Sequence, residues 1–226
     1  MSLKLYYDLM SQPSRAVYIL LKKSNINFEP KYVDLRKGVH YTDEYSNNIN
    51  RFKKVPVIDH NGFILTESVA IIRYLGRENL LPEALFPRAD KVLNTRLDEF
   101  LEWQHLGLRA PLAMYFRVVM FSPDSEKIPS YQKRMETALD EFSTLWLGRG
   151  NQYILGDTAT VADLLAACEV EQPRMTGYDC TANYPVIRDW MDRVRTHFNP
   201  HYAEASSIVE KIAAKRVPMK KPTAKL

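Results

Sequence analysis

Apolar residues at alternate positions open the chain. Leu3, Leu5 and Tyr7 have the two-residue period of a strand. The period then changes: Ala16, Val17, Ile19 and Leu20 form a helical stripe, and Pro13 stands in the first turn, where a missing N–H costs nothing. Asn25-Ile26-Asn27 reads as a turn, and Phe28 to Leu35, carrying Tyr32, Val33 and Leu35, reads as a second strand parallel to the first. Strand, crossover helix and strand make a right-handed βαβ unit. A polar connection over 36–41 carries His40, and Thr42 caps a short helix reaching Asn48. Val55, Val57 and Ile58 mark a third strand, with Pro56 at its entry because proline breaks the ladder of a central strand. Val55-Pro56 is a candidate cis bond. His60-Asn61-Gly62 is a hairpin turn of the kind that needs positive φ. Phe63-Ile64-Leu65 returns antiparallel, and Thr66-Glu67-Ser68 leads into the apolar helix from Val69 to Leu75.

Residues 1–80 therefore spell β-α-β-α-β-β-α, an α+β domain with a mixed sheet and helices against it. Residues 81–88, with Pro82 and Pro87 and no period, read as a linker. From 89 to 226 the strand signals vanish. Val92, Leu93, Leu97, Phe100, Leu101 and Leu108 predict a long amphipathic helix running to Phe121 with a bend at Pro111. Pro123 and Pro129 bracket a loop. Met135, Leu139, Phe142, Leu145 and Trp146 predict another helix, ended by Gly148-Arg149-Gly150. Thr160 with Asp163 three residues on is a variant capping box for the helix that contains Leu164 and Cys168. Two more helices follow, one after Pro185 and one from Tyr202 to Ile212. The second domain is all-α.

Composition narrows this picture. A chain of 226 residues, 46% apolar and 26% charged, has room for two ordinary globular cores. No apolar stretch has the length of a membrane span, and Lys4 and Asp8 interrupt any secretory leader. Cys168 and Cys180 lack the spacing of a disulfide framework or a zinc site, so a reducing compartment and no metal are expected. The net charge of +4 comes from the end: residues 211–226 hold six cations and no acid, which leaves the rest at −2. A cationic tail on a slightly acidic body does not make a nucleic-acid-binding face.

The candidate chemistry lies at element ends. Tyr6 to Arg15 joins a strand to a helix N-terminus, which favours an anion. Ser11 either holds that anion by its hydroxyl or, like Gln12, caps the helix. His40 and Lys54 stand on loops, and the backbone of Val55 beside the proline can pair with an extended peptide. Glu67 and Ser68 either cap their helix or hold a ligand, the carboxylate taking an ammonium and the hydroxyl a carboxylate.

Five motifs in order carry a resemblance: Ser11-Gln12-Pro13-Ser14-Arg15-Ala16-Val17-Tyr18, Lys53-Lys54-Val55-Pro56, Leu65-Thr66-Glu67-Ser68-Val69-Ala70-Ile71, Asp98-Glu99-Phe100-Leu101-Glu102-Trp103-Gln104-His105 and Thr160-Val161-Ala162-Asp163. Over residues 3–212 the chain resembles the glutathione transferases, most nearly the theta class of the insect type. The resemblance implies a thioredoxin-like first domain that binds glutathione, a helical second domain that holds a second substrate, and a homodimer. It also implies a cis Val55-Pro56 bond. In the theta class, a serine at the place of Ser11 serves the glutathione sulfur as a hydrogen-bond donor. Gln12, His40, Lys54, Val55, Glu67 and Ser68 match glutathione-binding positions. Arg109 matches a position that reaches glutathione across the dimer in some theta enzymes, and Leu106 stands where some relatives place an assisting aspartate. The implied reaction is attack of the glutathione thiolate on alkyl or aryl halides, epoxides or peroxides. The second substrate is expected between Met10, His40, Leu112, Tyr115, Phe116 and Val119. Disulfide exchange would need a cysteine where Ser11 stands. The alternative is a non-catalytic ligand carrier or structural dimer. A cytoplasmic location is expected, with Ala224-Lys225-Leu226 resembling the peroxisomal signal Ser-Lys-Leu. No nucleic-acid or membrane partner is expected.

Overall fold

The computed structural model describes residues 2–216; the end of the basic tail, with Ala224-Lys225-Leu226, lies outside the described residues. The first domain runs β1 (Leu3–Tyr7), α1 (Gln12–Lys23), β2 (Glu29–Tyr32), α2 (Asp43–Asn48), β3 (Val57–His60), β4 (Phe63–Thr66) and α3 (Ser68–Arg77). The second contains α4 (Lys91–Gln104), α5 (Ala110–Phe121), α6 (Ile128–Glu141), α7 (Val161–Glu171), α8 (Pro185–Phe198) and α9 (His201–Ala213). The α+β domain followed by an all-α domain is the order the periodicities predict.

The strands lie in the order β2-β1-β3-β4, with β1 and β2 parallel and the other neighbours antiparallel. The register decides what shares an edge. Tyr6 is opposite Val57, Val57 is opposite Thr66, and Tyr7 is opposite Tyr32. The last residues of β1, β2 and β4 and the first of β3 therefore line one edge of the sheet. Asn61 and Gly62 both take positive φ, 54° and 90°, which the β3–β4 hairpin needs.

Helix α1 is buried from Pro13 through Leu21. One side meets α3 in the first domain, and the other meets α7 and α9 of the second. A single apolar core, from Leu3 and Leu5 to Phe198 and Ala205, runs through both domains. The linker is part of it. Leu81, Leu85 and Phe86 are buried, the Leu85 carbonyl accepts from Val161 N at 3.0 Å, and the Phe86 ring lies 2.5 Å from where a Cβ on Gly76 would be.

Three local expectations change. β2 stops at Tyr32, because Asp8 takes the Leu35 N–H at 3.0 Å and Asp34 takes those of Arg36 and Lys37, turning the chain out of the sheet. The long helix from Arg88 to Phe121 is two helices joined by a π-turn, His105–Arg109, where Ala110 N bonds the His105 carbonyl five residues back. Pro111 has no N–H and its ring would strike the carbonyl four residues behind, so the helix widens just before it. Pro129 is inside the first turn of α6 and not in the preceding loop. A second π-turn, Phe142–Trp146, follows α6.

The capping box at Thr160 forms as expected, with aspartate in place of the longer acid. Asp163 is fully buried and does more than cap. Its Oδ2 accepts from Thr160 N, and its Oδ1 accepts from Ile154 N and Trp190 Nε1, all at 2.9 Å. The Thr160 hydroxyl also donates to Oδ2, so Asp163→Ala orphans four buried donors and is expected to cost about 2–4 kcal/mol. A denaturant midpoint unchanged from wild type would refute this account.

Candidate active site

Ser11 is the N-cap of α1, with its backbone extended at φ −87° and ψ 125°. Its Oγ accepts from Ser14 N at 3.4 Å. A hydroxyl has one proton and two lone pairs, so capping uses a lone pair and leaves the proton for another acceptor. Ser14, one turn on, is fully buried, and its own hydroxyl has no hydrogen-bond partner among the described residues.

The turn before Ser11 is tied on every side. Ser11 N donates to the Asp8 carbonyl at 3.0 Å. The buried Asp8 carboxylate accepts from Met10 N at 2.9 Å. The Leu9 carbonyl accepts from Arg15 Nη1 at 2.9 Å, and the Met10 carbonyl accepts from Gln172 Nε2 at 3.2 Å. Arg15 is fully buried, and its Nη2 donates to the Cys168 carbonyl at 3.1 Å and to Gln172 Oε1 at 2.7 Å. The sequence motif contains Arg15 without assigning it a role, and no local pattern marks Gln172. The cue was an arginine directly before the apolar run Ala16 to Leu21.

Gln12 favours the charged form of the Glu169 carboxyl on α7. Glu169 is 1% exposed, and Arg109 Nη1 pairs with its Oε1 at 3.1 Å. Burial holds the Glu169 carboxyl above its usual range. The ion pair of Arg109 thus lies within its own chain.

The other sequence-predicted residues come from the remaining strand ends. His40 lies on a single helical turn, Val39–Tyr41, after β2. It is buried, its Nδ1 has no hydrogen-bond partner among the described residues, and its ring sits 3.9 Å from that of Tyr41. Burial lowers its pKa, so the ring is held neutral. The Lys54 side chain is exposed, while its carbonyl accepts from Tyr45 Oη at 2.7 Å and Asn50 Nδ2 at 2.8 Å. These bonds fix the chain as it enters the Val55-Pro56 bond, which is cis.

Glu67 ends β4 at φ 67° and ψ 115°, a conformation that costs a non-glycine residue about 1–3 kcal/mol. It is exposed, does not cap α3 with its side chain, and makes no ion pair among the described residues. Ser68 follows as the first residue of α3 and is buried. A strained backbone that presents an unpaired carboxylate at a helix start is what a ligand site requires. It is not what a cap requires.

A second apolar cluster adjoins this edge. Phe116, Met175 and Val209 form its centre, with Met10, Met120, Ile208 and Ile212 packed around it. Of the residues expected beside the second substrate, Met10 and Phe116 are here. Leu112 and Tyr115 are fully buried in the main core, and Val119 packs against it. Helix position on α5 could not separate these, and the residues that were missed are Met120 on α5, Met175 on the turn after α7, and Ile208, Val209 and Ile212 on α9.

Neither cysteine competes as a nucleophile. Both are buried, and burial pushes the Cys168 thiol up to about 12 and that of Cys180 well above its ordinary value. Among the described residues, no group of three or more His, Cys, Asp or Glu is placed to hold a metal ion.

Comparison with known families decides the identity. The model of the glutathione S-transferase N-terminal domain matches residues 1–77, and that of the C-terminal domain matches residues 108–197. The chain belongs to the glutathione S-transferase family. It is 37% identical to human glutathione S-transferase theta-1 over 232 residues, covering 100% of this chain and 95% of that one. Mouse glutathione S-transferase theta-3 is 35% identical over 219 residues, covering 93% and 90%. The structure superimposes with a TM-score of 0.85 on human glutathione transferase theta-2, solved in complex with glutathione and an unknown ligand, at 34% identity and covering 97% of this chain and 94% of that one. The protein is a glutathione transferase of theta-class type, with the thioredoxin-like first domain and helical second domain of that family.

Proposed function

We propose that the sheet edge binds glutathione with its sulfur at Ser11 and transfers that sulfur, as thiolate, to small apolar electrophiles held against the Met10–Phe116 cluster. One observation carries the reading: the capping bond leaves the Ser11 proton unused, among the described residues, at the positive end of α1. Two solved relatives support it, one a complex with glutathione and the other a human theta-class enzyme with the glutathione conjugate of 1-menaphthyl sulfate.

Glutathione has one ammonium, two carboxylates and an extended peptide backbone. The unpaired Glu67 carboxylate suits the ammonium. Ser68 and the first N–H groups of α3 suit the neighbouring carboxylate. Val55 offers its backbone groups to the peptide. Lys54 and neutral His40 can hold the second carboxylate, and Gln12 lies beside Ser11. Arg109 adds a cation at the same floor, and a reach across a dimer would require it to leave Glu169.

A free thiol has a pKa near ~8.5. Donation from Ser11 and the helix end favour the anion, which raises the thiolate fraction at neutral pH. The sulfur then attacks carbon. A C–S bond forms, and the carbon–halogen pair departs on the halide; with an epoxide, the opened oxygen takes a proton. With an organic hydroperoxide, sulfur attacks the outer oxygen and the alcohol leaves, and a second glutathione then displaces water to give the disulfide. Proximity supplies much of the rate.

We also propose a homodimer. Edge strand β4 exposes Phe63 and Ile64, and the outer side of α4 and its π-turn exposes Val92 and Leu106, the last at 81%. Between them lies a groove of about 560 Å³ that includes Phe63, Tyr74 and His105. Light scattering should give twice the mass of one chain, and a single-chain mass would refute the pairing. No helix among the described residues is long and apolar enough to cross a membrane. We place the enzyme in the cytoplasm, with Ala224-Lys225-Leu226 as a peroxisomal address. A fusion with a fluorescent protein at its N-terminus should enter peroxisomes only when Leu226 is present; a diffuse signal in both forms would reject the address.

Ser11→Ala is expected to raise the pKa of bound glutathione by about one unit and to lower kcat/KM at neutral pH about tenfold. Halides, epoxides and hydroperoxides provide the assay. A variant equal to wild type would remove Ser11 from the mechanism. A wild type that binds glutathione but turns over nothing would make the protein a ligand carrier.

A further inference from the structure

The two cations that end α1 are treated differently by the fold. Lys22 and Lys23 both stand in the last turn, where the helix end favours positive charge. Lys23 spends its ammonium on the His197 carbonyl of the second domain. Lys22 makes no ion pair among the described residues, and its Nζ lies 5.7 Å from the centre of the Tyr18 ring and 5.9 Å from that of Phe28. Ring faces orient an ammonium through their quadrupole, but they carry no net charge to cancel its own.

This ammonium borders a cleft of about 360 Å³ between the end of α1, the start of β2 and the start of α9, a size that suits a small molecule. The lining is largely aromatic. Tyr7 stacks on Tyr18 with ring centres 5.3 Å apart, and Phe28 meets Tyr18 edge-on at 5.7 Å. Asn25 and Asn27, on the turn after α1, add amide donors. His201, the first residue of α9, completes the wall. Its Nδ1 is shut off from water and has no hydrogen-bond partner among the described residues, with Glu204 Oε2 3.8 Å away. The other Glu204 oxygen accepts from Tyr18 Oη at 2.7 Å, so this carboxylate is engaged by the tyrosine and not by Lys22. Buried polar atoms are ordinarily satisfied, and one left over in a cleft wall marks a place for a ligand group.

The lining selects the chemistry of the occupant. Stacked and edge-on rings offer flat apolar surface to a further ring. An unpaired ammonium with amide N–H groups beside it calls for a negatively charged acceptor. We propose that this cleft is a second small-molecule site, which takes an aromatic carboxylate with its ring on Tyr18 and Phe28 and its charge on Lys22. Ser11 stands at the opposite end of α1, and the rise of a helix puts Lys22 about 16 Å farther along the axis. The two sites are therefore separate, and the second does not rest on the reading of Ser11.

The test uses 2-naphthoate as probe and uncharged 2-naphthamide as its isostere, both measured by isothermal titration calorimetry. Saturating S-hexylglutathione is present throughout, so that its peptide and hexyl chain fill the sulfur and electrophile sites. Wild type should bind one naphthoate per chain, and naphthamide about tenfold more weakly. Lys22→Gln should weaken naphthoate about tenfold and bring it level with naphthamide. His201→Ala should weaken it as well. Lys211→Gln removes an exposed cation elsewhere on α9 and should leave binding unchanged, which separates a site from a general charge effect. Loss of naphthoate binding when S-hexylglutathione is added would place the probe in the catalytic cleft and overturn the proposal. So would a Lys22→Gln variant that binds as wild type does, or a naphthamide that matches naphthoate. If S-hexylglutathione itself fails to bind, the glutathione reading falls, and the Lys22→Gln comparison still decides this site.

Discussion

A fully buried guanidinium that spans the two domains is the constraint around which this molecule is built. Arg15 extends from the first turn of α1 and hydrogen-bonds Leu9 in its own domain and Cys168 and Gln172 in the other. Hydrogen bonds to a charged group are each worth about 1.5–3 kcal/mol, and losing one partner here would strand a buried charge. Helix α1 therefore cannot shift against α7 without breaking the turn that ends at Ser11. The packing of the two domains and the geometry of the turn before Ser11 are one problem with one solution.

The sheet supplies the rest of the site by register. Because Tyr6, Val57 and Thr66 are aligned, three loops far apart in sequence open at one edge. Each loop is then fixed by short-range bonds: Asp8 to Met10, and Tyr45 and Asn50 to the Lys54 carbonyl. Glu67 is the exception. Its backbone strain is borne by the hairpin behind it and the helix ahead of it, whose first carbonyl bond runs from Glu67 to Ile71 N at 2.9 Å. The pairing leaves its carboxylate free.

The choice between a capping serine and a functional one dissolves on inspection of the hydroxyl. Ser11 caps α1 with a lone pair, and among the described residues its proton stays available for the role proposed for it. The second domain adds a different character. The cluster beside Met10 is rich in methionine, with Met120 and Met175 near Phe116. Unbranched thioethers adapt to varied shapes, which suits an enzyme that meets electrophiles of many outlines.

Periodicity and turn chemistry, both local, made much of the fold legible: the alternation at Leu3–Tyr7, the Asn61-Gly62 hairpin, and the box at Thr160 and Asp163. Five ordered motifs made the family legible as well. Local pattern does not report who meets whom across the chain. It could not separate Phe116, which faces Met10, from Leu112 and Tyr115, which face the core on the same helix. Nor could it find the π-turn that sets Arg109 against Glu169, or the reach of Arg15 to Gln172. Those depend on how α5, α7 and α9 dock against α1. Sequence by itself determined the elements and the chemical groups at their ends. Tertiary structure alone decided which groups lie within bonding distance, because a buried contact between distant residues forms only when the whole core is assembled.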